Sequence, residues 1–128
     1  MYVRFVVNAV DDNSQRRMGV IIAAYELKHG DRLSAEELAH MNEITRWLDL
    51  NLEAPERFSR SRRSNAHAKA ISWFRASALE HIEKVRSLCR LVERYGTSTV
   101  QITTRKPGYI VYEDEYQICA VPFADTRA

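Results

Sequence analysis

Six basic side chains, Arg57, Arg60, Arg62, Arg63, Lys69 and Arg75, fall in the stretch RFSRSRRSNAHAKAISWFR, which holds no carboxylate. Arginine presents a planar fork of N–H donors that matches two oxygens of a phosphate or a carboxylate, and Ser59, Ser61, Ser64 and Asn65 add neutral donors between the charges. Trp73, Phe74 and Phe58 carry faces on which a base can stack. Such a set points to a non-enzymatic binding module for a polyanion, nucleic acid first. The alternative partner is an acidic protein surface, which would make the chain a regulator or inhibitor of a larger bacterial or phage assembly. A plainer reading pairs the arginines with the protein's own carboxylates, above all Glu113, Asp114 and Glu115.

Those three acids offer a second chemistry. In an extended strand Glu113 and Glu115 point to one side and Asp114 to the other, so the two glutamates could share a metal ion if further ligands joined them. A solvated turn between strands is the simpler expectation. His29, His40, His67 and His81 are scattered, and none of them forms the i, i+4 pair that zinc chemistry favours. Glu80 and His81 would suit acid–base work only inside a pocket. No Gly-rich nucleotide loop, nucleophile elbow or triad spacing is present, so the sequence implies neither a catalytic residue nor a cofactor.

The charge is unevenly distributed rather than large. The chain has 128 residues and a net charge of +2, yet six basic and no acidic residues lie between Glu56 and Glu80, leaving 13 basic against 17 acidic elsewhere. Fifteen of the basic residues are Arg and four are Lys. The length fits one domain with its own core, expected over residues 1–123 with a flexible tail at 124–128. The opening MYVRFVVNAV is too short and too interrupted for a signal peptide, and no apolar run approaches the roughly 18 residues of a membrane helix, which points to the cytosol. Cys89 and Cys119 have no partner at ligand spacing and read as buried free thiols.

The elements that must position these residues follow from periodicity. Residues 2–8 read as a strand with Val3, Phe5 and Val7 on one face and Tyr2, Arg4 and Val6 on the other. MGVIIAAYELKHG reads as a helix beginning near Gly19, with Val20, Ala24 and Leu27 on its buried face and Gly30 as a left-handed residue after its last turn. Ser34 and Glu37 form a capping box ahead of Leu38, Met41, Thr45, Leu48 and Leu52, with Ile44 and Trp47 widening the stripe. This second helix should end before Pro55. Arg57 to Lys69 is then a connection, and AISWF a short strand.

Ser77 and Glu80 suggest a second capping box, opening a helix with Ala78, Ile82, Val85, Cys89 and Val92 inside and Gly96 at its end. STVQITTR and YIVYE are strands about a turn at Pro107 and Gly108, and YQICAVPF continues the sheet. The order β-α-α-β-α-β-β argues for an α+β fold, a small mixed or antiparallel sheet of about four strands covered by three helices.

The segments YVRFVV, AAYEL, RFSRS, ISWFRASALEHI and PGYIVYEDEYQICAVPF together resemble a family of small single-domain bacterial proteins with no assigned activity. The resemblance implies a single-domain protein of bacterial or phage cytosolic origin. It brings no cofactor and no catalytic residue.

Overall fold

The computed structural model describes residues 1–11, 15–53 and 69–128. These form six strands and three helices in the order β1 (Tyr2–Val10), β2 (Arg17–Gly19), α1 (Val20–His29), α2 (Ala35–Asn51), β3 (Ile71–Arg75), α3 (Leu79–Arg94), β4 (Thr99–Thr104), β5 (Tyr109–Glu113) and β6 (Gln117–Val121). The fold is α+β, and each of the five strand pairings is antiparallel. Two strands go beyond the four of the sequence order: β6, which is the segment YQICAVPF as a strand of its own, and β2, which the sequence does not show. Three residues are too few to show a period, and β2 exists only because β1 supplies its ladder.

One strand organises the sheet. β4 pairs with β1 continuously from Tyr2↔Thr104 to Val7↔Thr99. β3 meets β1 at Tyr2↔Arg75 and Val3↔Phe74, and β2 meets it at Val6↔Gly19 and Val10↔Arg17. Tyr2, Val3 and Val6 therefore have partners on both sides: β4 takes one edge, while β3 and β2 share the other end to end. Between those two partners, at Arg4 and Phe5, the shared edge is open. The residues of β3 before Phe74 have no partner on β1; along its other edge β3 pairs with β6 from Ile71↔Ala120 to Phe74↔Gln117, and β6 in turn pairs with β5.

Alternation along the strands builds two apolar faces. Val3, Phe5, Val7 and Phe74 face the helices, where Val20 and Ala24 of α1, Met41, Ile44 and Leu48 of α2, and Val85 and Leu88 of α3 close the main core. Ile71, Trp73, Ile118 and Ala120 form the opposite face, and Ala128 lies against them. Residues 124–128, expected as a flexible tail, are placed along this face. Arg16 donates to the carbonyls of Thr126 (3.2 Å) and Phe123 (3.3 Å), Arg17 donates to that of Ala128 (3.3 Å), and Thr126 is buried.

The helix ends separate two similar sequence signals. At α2 the capping box forms as read: Ser34 Oγ accepts from the Glu37 amide at 3.2 Å, and the Glu37 carboxylate accepts from the Ser34 amide at 3.0 Å. At α3 it does not, because the chain enters the helix from a tight turn off β3 in which the Ala78 amide donates to the Arg75 carbonyl. That turn makes Ala78 the N-cap residue, without a side-chain cap, so Ser77 is one position too early. After α1 the left-handed residue is Asp31 (φ 55°), while Gly30 keeps φ −85°. Gly96 ends α3 at φ 88°, as the sequence suggests.

Candidate functional site

Of the six basic residues singled out by the sequence, Arg57, Arg60, Arg62 and Arg63 lie outside the described residues. Lys69 is exposed, two residues ahead of β3. Arg75 ends β3 and is already engaged: Nε donates to the Asp114 carbonyl at 2.8 Å, and Nη2 bridges to Glu113 Oε2 at 3.2 Å. Pairing with the acidic cluster is thus realised at Arg75, the basic residue furthest from the others in sequence.

Asp114 organises the β5–β6 turn. Its carboxylate accepts from the amides of Tyr116 (2.9 Å) and Gln117 (3.0 Å) and from the Tyr112 hydroxyl (2.9 Å). Burial alone would raise its pKa, but these hydrogen bonds outweigh burial and hold it below the ordinary value. Among the described residues no group of three or more His, Cys, Asp or Glu gathers at metal-ligating reach. Cys89 and Cys119 are both buried and free.

His81 is not a solvated surface residue. It is 4 % exposed, stacks on Tyr116 with centroids 4.4 Å apart, and meets the edge of Trp47 at 4.8 Å. Nε2 lies 2.8 Å from the Asn51 carbonyl. A carbonyl oxygen only accepts, so Nε2 carries the proton, and the bond satisfies one of the end carbonyls that α2 leaves open. Its neighbour Glu80 is exposed in the first turn of α3.

The feature that sequence reasoning missed is a cavity of about 400 Å³ at the break in the sheet. Phe5 and Phe74 line it from the strands, and Val20, Leu48 and Val85 from the helices. Tyr25, Asp49 and Glu53 line it too and are exposed, which places them at its mouth. Of the lining residues, Glu53 and Ala70 are the nearest in sequence to the two ends of the segment Arg57 to Lys69.

Arg4, Thr45, Trp73 and Gln117 are the buried polar residues of this lining; Thr45 donates to the Asn42 carbonyl and Gln117 to the Glu53 carbonyl, which leaves Arg4 and Trp73. With Val3 opposite Phe74, they are the next pair in register, the first beyond the point where β1 and β3 part. Arg4 is 7 % exposed and Trp73 1 %. One Arg4 nitrogen, Nη2, donates to the Arg17 carbonyl across the break. The other, Nη1, and the Trp73 indole Nε1 are buried without a hydrogen-bond partner among the described residues. Each such donor costs about 1–3 kcal/mol, and a charged one more, so two in one lining are an expensive arrangement. Burial pushes the Arg4 guanidinium down to about 10, with the nearby Arg17 charge adding to that and Asp11 opposing it. It remains a cation at neutral pH.

The alternation of β1 already puts Arg4 on the face of Tyr2 and Val6. Its burial could not be read, because it depends on β2 and β3 meeting β1 on either side of the break. No helix among the described residues is long and apolar enough to cross a membrane. Comparison of the chain with protein-family models, curated proteins and solved structures finds no match.

Proposed function

We propose that this chain is a non-enzymatic binding module whose Arg-rich segment, with Arg57, Arg60, Arg62, Arg63 and Lys69 as contacts, engages a polyanion, nucleic acid being the partner. The observation that carries the reading is the segment's own charge, five basic residues and no carboxylate from Arg57 to Lys69. Of the acidic cluster at 113–115, Asp114 is engaged within its own turn, and Glu113 bridges to Arg75. Lys69, at the end of the segment, is exposed and forms no ion pair among the described residues. A segment with five positive charges and no internal carboxylate favours a long anion over a single acidic group.

Arg75 is left out of the contact set because its guanidinium is held in the fold by Asp114 and Glu113. The aromatic residues of β3 are left out as well. Trp73 and Phe74 are core residues, so neither is free to stack on a base.

The test is the salt dependence of duplex binding. Five phosphate contacts give a slope of log K against log salt of about −4.5, and the triple variant Arg60→Ala, Arg62→Ala, Arg63→Ala should flatten it by about 2.7. Absence of binding at low salt, or a slope unchanged in the variant, removes the nucleic-acid reading. Recovery of a stoichiometric acidic protein that the variant loses would put the alternative partner in its place.

A further inference from the structure

The cavity at the sheet break differs in chemistry from the Arg-rich segment: its lining is mostly apolar. We infer that it is a small-molecule site for an amphipathic monocarboxylate, whose anionic head meets the Arg4 guanidinium and whose apolar body lies between Phe5, Phe74 and the helices.

Three observations converge on that class. The first is the pair of orphaned donors: Arg4 Nη1 and Trp73 Nε1 are buried, have no hydrogen-bond partner among the described residues, and belong to residues that face each other in the register just beyond the last β1–β3 pair. A group with acceptor oxygens and no donors satisfies such a pair, and a charged acceptor suits the guanidinium better than a neutral one. The second is size. About 400 Å³ lies within the range of roughly 300–1,000 Å³ that small-molecule sites occupy, and most of the lining is apolar with a few convergent polar groups.

The third is the charge at the mouth. Asp49 and Glu53 are exposed there. These carboxylates disfavour a dianion such as a phosphate monoester, whereas a single negative charge delivered to Arg4 by an apolar chain meets less repulsion. The head is thus anionic, singly charged and small, and the body carries no charge.

The experiment uses ligands that share one eight-carbon body. Octanoate, octanol, octylamine and octyl phosphate are titrated into the wild-type protein below their micelle-forming concentrations. Binding is followed by calorimetry, by the shift in Tm and by the Trp73 indole N–H resonance. Octanoate should raise Tm, move the Trp73 resonance but not that of Trp47, and bind at least about ten times more tightly than octanol or octyl phosphate. Arg4→Met should lose most of the advantage of octanoate over octanol.

If Arg4→Met fails to fold, the ligand series in the wild-type protein still decides. Equal binding of octanol and octanoate, tighter binding of octylamine, or no shift of the Trp73 resonance by octanoate would each overturn the inference. None of these outcomes bears on nucleic-acid binding, since no arginine of the basic segment takes part.

Discussion

Tyr95, the residue after α3, donates its hydroxyl to Glu37 in the first turn of α2, and the same carboxylate closes the capping box with Ser34. One side chain thereby ties the start of one helix to the end of another. The Tyr95 hydroxyl, and after it the Ser34 amide, hold the Glu37 pKa down to about 2 from the ordinary 4.5. A carboxyl depressed on folding adds stability that is fully present above its unfolded pKa and is lost as pH falls through the folded one. The Tm of the wild-type protein should therefore fall more steeply from about pH 5 to about pH 2 than that of Glu37→Gln, with the gap between them widest above about pH 5. Parallel curves would show that Glu37 contributes no pH dependence.

His81 is a structural residue in this fold, and its two contributions can be separated. His81→Phe keeps a ring against Tyr116 but leaves the Asn51 carbonyl without its partner. Urea denaturation should show a loss of about 1–3 kcal/mol. A variant as stable as the wild type would mean that the hydrogen bond to α2 contributes nothing net.

Arg75 and the arginines of the basic segment should behave differently although they share a stretch of sequence. The Arg75–Glu113 bridge is about one-third exposed at both ends, so it is weak in itself. With the bond to the Asp114 carbonyl, Arg75→Ala should cost about 1 kcal/mol in urea denaturation. It should leave the salt slope of nucleic-acid binding unchanged. A flatter slope in this variant would return Arg75 to the binding set.

Gly108 and Gly96 both have positive φ, 128° and 88°. At Gly96 nothing lies within 4 Å of where a Cβ would stand, whereas at Gly108 a Cβ would run into the Val121 carbonyl, 2.7 Å from its carbon. Gly96→Ala should cost about 1 kcal/mol through backbone strain alone. Gly108→Ala should cost more than about 2 kcal/mol, because it also forces β5 away from the end of β6. Equal losses in urea denaturation would contradict the close approach.

How much of this was legible in the sequence differs from residue to residue. Ser34 and Glu37 could be read because a capping box is local: its partners are three residues apart and the helix supplies the geometry. Ser77 and Glu80 have the same spacing but no box forms, because the preceding turn off β3 decides which residue caps α3. Met41, Ile44, Thr45 and Leu48 could be read from a 3.6-residue period. Arg4 could be assigned to a face but not recognised as buried, since that takes three strands meeting on β1. The cavity was invisible for the same reason: Arg4 and Trp73 are far apart in sequence and become neighbours only where two strands separate.

The shared edge of β1 also sets an order of events in folding. β1 precedes β2, β3 and β4 in the chain, and its longest ladder joins Tyr2 to Thr104. During synthesis Val3, Phe5 and Val7 therefore emerge with their ladder partners still unmade, and the sheet closes only after β4 has been added. Contacts so distant in sequence carry a large loop-closure cost, so folding should be slow for a domain of this size. Until then the first strand is an uncovered apolar edge, the part of the molecule most exposed to misassociation with another copy.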